Sequence, residues 1–106
     1  MNKFGLTPHQ TNHLIVLCKR HLSQGTVVVY GSRAKGNFTE RSDIDLVIQD
    51  AGTTDRHLLA ELHDQIDESN IPYLCDIHYF DEINNPQLRD HILRIGQVLC
   101  HISVDG

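Results

Sequence analysis

Residues 27–48, VVVYGSRAKGNFTERSDIDLVI, decide the fold of this chain. The β-branched residues at the start of this stretch predict a strand that ends at Tyr30, and its apolar end predicts a second strand over residues 43–48. Gly31 and Ser32 lie in the turn after the first strand. The connection between the strands is too short for a parallel crossover, so we expect the two strands to be antiparallel.

Two carboxylates on the second strand are the distinctive chemical feature of this stretch. Side chains alternate between the two faces of a strand, so Asp43 and Asp45 point to one face while Ile44 and Leu46 point to the core. Two adjacent like charges are costly unless a cation lies between them. The glycine-serine turn offers backbone N–H groups and a hydroxyl to a phosphate. Carboxylates for a hard metal ion opposite a phosphate site are what metal-assisted phosphoryl or nucleotidyl transfer requires.

The pattern GSRAKG at residues 31–36, followed by RSDIDL at residues 41–46, resembles the nucleotidyltransferase signature of the DNA polymerase β-like superfamily. It is most similar to the small bacterial branch called minimal nucleotidyltransferases. The resemblance implies a nucleotide triphosphate, ATP, as the substrate. The residues that it assigns to nucleotide binding are Gly31, Ser32, Arg33 and Lys35. The alternative interpretation is a plain turn with exposed aspartates on an edge strand.

A third carboxylate, Asp76, lies in the predicted third strand, residues 73–79. Aspartate is disfavoured inside a strand, so its position calls for an explanation. The resemblance implies that Asp43, Asp45 and Asp76 together hold Mg²⁺ or Mn²⁺, and that Asp76 accepts the proton of an attacking hydroxyl. The simpler alternative is a charge that protects an edge strand from aggregation. His78 shares the face of Asp76 by alternation, and its simpler interpretation is a partly buried strand residue.

The rest of the chain predicts helices that cover the sheet. A capping box at residues 7–10 predicts the first helix, and Thr53 or Thr54 is expected to cap the next long one. A last helix is expected to begin at Pro86. Residues 97–102 predict either a short extension or an edge strand. The predicted fold class is α/β (α+β): a nucleotidyltransferase fold with a small mixed β-sheet covered by helices.

Size and composition exclude several classes of protein. At 106 residues, the chain is expected to form one nucleotidyltransferase domain, residues 1–106. Its net charge of −5 argues against general nucleic-acid binding. No apolar run approaches the roughly 20 residues of a membrane span, and the start of the chain lacks the apolar stretch of a signal peptide, so we expect a cytoplasmic protein. Cys18, Cys75 and Cys100 lack C-x-x-C spacing, so we interpret them as buried apolar residues.

A domain of this size leaves no segment to enclose a nucleotide or to select an acceptor. The resemblance implies that a partner completes the site: a small helical HEPN protein, the toxin of a toxin–antitoxin pair, encoded by a neighbouring gene. This chain would be the antitoxin and would transfer AMP from ATP to a hydroxyl, with tyrosine expected. Two alternatives stay open at this point: a non-enzymatic antitoxin that neutralises its partner by binding, and a small-molecule adenylyltransferase. A homo-oligomer also stays open.

Overall fold

The computed structural model describes residues 2–103 of the chain. Its helices and strands follow one another in an alternating order that ends on a strand. In chain order they are α1 (Pro8–His21), β1 (Gly25–Tyr30), α2 (Gly31–Lys35), β2 (Ile44–Gln49), α3 (Arg56–Glu68), β3 (Cys75–Tyr79), α4 (Pro86–Ile95) and β4 (Gln97–Ile102), with one turn of 3-10 helix at Phe80–Glu82 between β3 and α4.

The four strands form one mixed sheet in the order β3-β2-β1-β4. β1 pairs antiparallel with both β2 and β4, whereas β2 pairs parallel with β3. The parallel pair is possible because α3 lies between its strands in the chain and returns the backbone across the sheet. The predicted mixed sheet and the antiparallel first pair are confirmed. Of the two predictions for residues 97–102, the edge strand is correct.

Strand alternation divides the apolar residues between the two faces of the sheet. Val27 and Val29 pack in the larger cluster with the buried residues of α1 and α3. Val28 and Tyr30 pack in a smaller cluster with Ile92 of α4 on the opposite face. β2 is buried on both faces over residues 46–48, which explains its nearly continuous apolar sequence.

The helix ends show one correct and one incorrect capping prediction. The capping box of α1 is confirmed, because Thr7 accepts from the Gln10 N–H and the Gln10 side chain accepts from the Thr7 N–H. The predicted cap of α3 by Thr53 or Thr54 is wrong. Asp55 caps that helix through the His57 N–H, and Thr53 instead accepts a hydrogen bond from the Asp55 N–H. A carboxylate one residue before the helix is a better placed acceptor for the first free N–H groups.

Two strands begin later than the sequence predicts. β2 begins at Ile44 rather than Asp43, and β3 begins at Cys75 rather than Tyr73.

Cys18, Cys75 and Cys100 are free and buried, as predicted. Within residues 2–103, no helix is both long enough and apolar enough to span a membrane.

Candidate active site

Two carboxylates lie side by side on the sheet face that α4 partly covers. The parallel register of β2 and β3 pairs Asp45 with Asp76, and the antiparallel register of β1 and β2 pairs Tyr30 with Asp45. Residues directly opposite each other on paired strands share a face. Tyr30, Asp45 and Asp76 therefore form a row across three strands. Asp43 is exposed, one residue before β2 begins.

The row has an unfavourable concentration of negative charge. Burial raises the pKa of Asp45 above its usual value, and the charges of Asp76 and then Asp43 raise it further, against smaller opposing effects of His78 and His91. A raised carboxyl pKa means that the ionised form is disfavoured where it stands. A bound cation would reverse this effect, since it would favour the charged form.

Burial also raises the pKa of Tyr30 to about 12, with the charges of Asp45 and Asp76 adding to the effect. Its phenol therefore keeps its proton at neutral pH. This neighbour of Asp45 is neutral and adds no charge to the row.

The donor chemistry of these residues fits a hard divalent ion, although the side chains do not form a closed cage. Within residues 2–103, no three His, Cys, Asp or Glu side chains are placed to hold a metal ion together. Asp76 is turned toward His78, with 3.1 Å between its Oδ1 and the histidine Nε2. Mg²⁺ usually takes only one or two protein carboxylates and completes its coordination with substrate phosphates and water. A preformed three-carboxylate cage is therefore not required, and the observed set fits Mg²⁺ or Mn²⁺.

Gly31 directly follows β1, and its backbone lies close to the Asp45 carboxylate. Its φ is +72°, a left-handed conformation that favours glycine. A Cβ at this position would collide with the Asp45 carboxylate. The glycine of the predicted motif is therefore explained by two constraints of the fold, its conformation and its distance from Asp45.

His91 of α4 is a residue at this site that the sequence did not reveal. Its Nε2 lies 3.2 Å from the Gly31 nitrogen and accepts a hydrogen bond from the Gly31 N–H. The ring meets Tyr30 edge-on, with 6.3 Å between ring centroids. The sequence contains eight histidines, and nothing in the spacing of His91 separates it from the others. Only the return of α4 across the sheet brings it to the turn.

The other predicted nucleotide-binding residues occupy two different environments. Ser32 is half-buried beside Gly31, and Lys35 is exposed at the end of α2. Arg33 is buried instead, and its guanidinium donates hydrogen bonds to the backbone carbonyls of Ser42 and Phe4.

A mixed sheet with carboxylates on two neighbouring strands, beside a glycine-serine turn, is the arrangement of a nucleotidyltransferase. The family model described as polymerase beta, nucleotidyltransferase, matches residues 12–104. The chain belongs to this family. A comparison with curated protein sequences gives no match.

Solved structures place the fold among the minimal nucleotidyltransferases. A toxin–antitoxin crystal structure with AMP-PNP has a TM-score of 0.73 and 22% identity, over 90% of this chain and 76% of that one. A tri-AMPylated Shewanella oneidensis HEPN toxin in complex with its MNT antitoxin has a TM-score of 0.67 and 19% identity, over 88% and 71%. A candidate minimal nucleotidyltransferase has a TM-score of 0.68 and 26% identity, over 91% and 95%. The resemblance noted in the sequence is confirmed.

Proposed function

We propose that this chain is an Mg²⁺-dependent nucleotidyltransferase antitoxin that transfers AMP from ATP to a hydroxyl of a HEPN-type partner protein, with tyrosine as the expected acceptor. The family supports nucleotidyl transfer as the general chemistry. The structural neighbours support the partner and the donor, because they include an AMPylated HEPN toxin with its antitoxin and a toxin–antitoxin structure with AMP-PNP. ATP as the donor is consistent with a cytoplasmic reaction.

The observation that carries this proposal is the register pairing of Asp45 with Asp76 on one face. Neighbouring carboxylates with a raised pKa at Asp45 are costly in a domain that uses them only for structure. The same pair is favourable when it holds a cation between substrate phosphates and an acceptor. A simple edge-strand charge, the alternative for Asp76, does not explain why it lies against a second, partly buried carboxylate.

Each residue has a separate task in the proposed reaction. Asp43, Asp45 and Asp76 would hold Mg²⁺, which when bound supplies Lewis acidity to the phosphates and lowers the pKa of the acceptor hydroxyl. Ser32 and Lys35 bind the β- and γ-phosphates through a hydroxyl and an ammonium group. Gly31 keeps the turn close to Asp45.

The bond changes follow from transfer of an adenylyl group. The acceptor oxygen forms a bond to the α-phosphorus of ATP, and the bond from that phosphorus to the bridging oxygen breaks. Pyrophosphate leaves, and Asp76 takes the proton of the acceptor hydroxyl. Asp76 is exposed and Asp45 is only partly buried, so in this proposal the partner encloses the nucleotide and orients its own hydroxyl. Such positioning is worth roughly 7–11 kcal/mol of a reaction barrier.

Co-expression of the chain with the HEPN protein of its gene neighbourhood, followed by mass spectrometry of the intact partner, tests the proposal. We expect an added mass of one or more adenylyl groups on a partner tyrosine, lost with Asp76→Ala. The matched control is Asp81→Ala, which removes an exposed carboxylate from the 3-10 turn after β3. An unmodified partner that a triple Asp43, Asp45 and Asp76 variant still neutralises would support the binding antitoxin instead.

A further inference from the structure

Arg33 is the one charged side chain that is buried within residues 2–103, at 2% exposure. A buried guanidinium is costly unless its N–H groups find good hydrogen-bond partners. No carboxylate in the described residues forms an ion pair with it. The partners that make its burial possible are therefore carbonyl groups and aromatic rings.

The guanidinium makes three hydrogen bonds to two separate segments of backbone. Nε and Nη2 donate to the Ser42 carbonyl at 3.0 and 2.8 Å, and Nη1 donates to the Phe4 carbonyl at 2.8 Å. The ring of Tyr73 lies 4.1 Å from the guanidinium carbon and the ring of Phe38 lies 5.3 Å from it. A planar guanidinium combines this fork of donors with stacking faces, and a lysine ammonium does not.

The hydrogen bonds to Ser42 link the two halves of the candidate active site, the glycine-serine turn and the approach to Asp43. Arg33 follows Ser32 in α2, and Ser42 immediately precedes Asp43. Residues 36–43 connect them without a long helix or strand. The hydrogen bonds within this connection are local, such as the one that the Thr39 N–H donates to the Ser42 hydroxyl at 2.9 Å.

We propose that Arg33 is a positioning residue, which fixes the distance between the glycine-serine turn and Asp43 and does not contact the nucleotide. We call the hydrogen bonds of Arg33 to Ser42 and Phe4 the clamp. The clamp is a feature of this chain alone, and the proposal rests on the proposed function only in treating Asp43 as part of an active site. A phosphate contact would require the guanidinium to leave three hydrogen bonds and two rings. It would also leave the carbonyls of Ser42 and Phe4 without this partner.

Phe4 gives independent support for a clamp. It adopts φ +59°, a left-handed conformation that a bulky residue holds only when its surroundings fix it. Its side chain is buried and its carbonyl accepts from Arg33. Arg33 therefore holds the start of the chain as well as the approach to Asp43.

Hydrogen exchange of the full-length chain tests the clamp without any substrate. In Arg33→Lys, one ammonium replaces the fork, and we expect the amides of Thr39 and Ser42 to exchange about tenfold faster or more, as expected from one lost charge-assisted hydrogen bond. The amide of Leu46 in the central strand should keep its wild-type rate. Lys35→Gln, which removes an exposed charge from the same helix, is the matched control and should leave all three amides unchanged.

A kinetic measurement in the complex with the HEPN partner separates positioning from phosphate binding. We expect Arg33→Lys to lower kcat more than it raises KM for ATP, because Asp43 is displaced while Ser32 and Lys35 remain. Lys35→Gln should instead raise KM for ATP. Arg33→Lys with wild-type exchange at Thr39 and Ser42, or with kinetics that match Lys35→Gln, would overturn the proposal.

Tyr73→Leu gives a second variant that leaves Arg33 in place. It removes the nearer stacking ring, so the Ser42 amide should exchange faster than in the wild type, as in Arg33→Lys. Unchanged exchange at Ser42 would overturn the proposal. This variant provides the test if Arg33→Lys does not fold. If the wild-type complex transfers no nucleotide, the proposed function fails while the exchange measurements still decide the clamp.

Discussion

Gly31→Ala should displace the Asp45 carboxylate, and comparison with a control glycine shows which of its effects come from that displacement and which from reduced stability. The substitution adds one methyl group where φ is +72°, and that group would meet the carboxylate of Asp45. Gly36→Ala is a matched control at the C-cap of the same short helix, because Gly36 also has a positive φ, +90°, but nothing lies within 4 Å of the added Cβ. The two variants share the backbone effect and differ in the contact with Asp45.

The backbone effect is about 1–2 kcal/mol for each variant, the cost of a left-handed conformation in a residue with a Cβ. At Gly31 the carboxylate of Asp45 must also turn away, and a side chain forced off its rotamer adds roughly 0.5–1.5 kcal/mol. In a domain of this size, 1 kcal/mol lowers the melting temperature by about 4–8 °C. We therefore expect losses of about 4–16 °C for Gly36→Ala, and a somewhat larger loss for Gly31→Ala.

The functional consequences should differ far more than the stabilities. Thermal melts with and without Mg²⁺ and ATP, together with adenylylation of the HEPN partner, measure both. Gly31→Ala should lose the stabilisation by Mg²⁺ and ATP and should lose transfer, whereas Gly36→Ala should keep both at temperatures below its melting point. Wild-type transfer by Gly31→Ala would refute the inferred contact between the turn and Asp45, as would an equal loss of transfer in both variants.

Four further predictions concern the carboxylates and the packing beneath them. The folded-state pKa of Asp45 is raised, so its protonation stabilises the fold below the unfolded pKa of about 4, and this contribution is lost as pH rises through the folded pKa. Asp45→Asn should therefore melt at a higher temperature than the wild type at pH 7 without metal, and an unchanged or lower melting temperature would contradict this. Asp43→Asn combined with Asp45→Asn should abolish transfer while the circular dichroism spectrum shows that the fold is retained. Transfer at the wild-type rate would show that neither residue belongs to the metal site. Mg²⁺ with ATP should raise the melting temperature of the wild type in complex with its partner. Mg²⁺ alone should raise it much less, since the ion relies on substrate phosphates for part of its coordination. An unchanged melting temperature at millimolar ATP and Mg²⁺ would count against nucleotide binding. Tyr79→Phe removes the 2.7 Å hydrogen bond to the Asp55 carbonyl on the opposite side of the sheet, and should cost about 0.5–1.5 kcal/mol in urea unfolding without changing transfer.

The sequence by itself determined the mixed sheet and the chemical character of the site. Alternation within a strand is a local property, so the spacing of Asp43 and Asp45 was enough to place them on the face opposite Ile44 and Leu46. The β-branched run before Gly31 and the short connection after it were enough to predict an antiparallel pair. These features depend on neighbouring residues in the chain, and the structure confirms the antiparallel pair and the burial of Ile44 and Leu46 for that reason. Asp43 lies one residue before β2, so its place on the face of Asp45 stays a prediction.

Only the tertiary structure decided which distant residues meet at the site. The pairing of Asp76 with Asp45 depends on the register of β3, which is set by the packing of α3 and the core rather than by local sequence. His91 reaches the turn because α4 returns across the sheet. Arg33 has the sequence signature of a phosphate ligand, yet it is buried among carbonyls and rings contributed by segments on both sides of it in the chain. A guanidinium can donate to a phosphate or to a set of carbonyls, so its role depends on what the fold brings within reach.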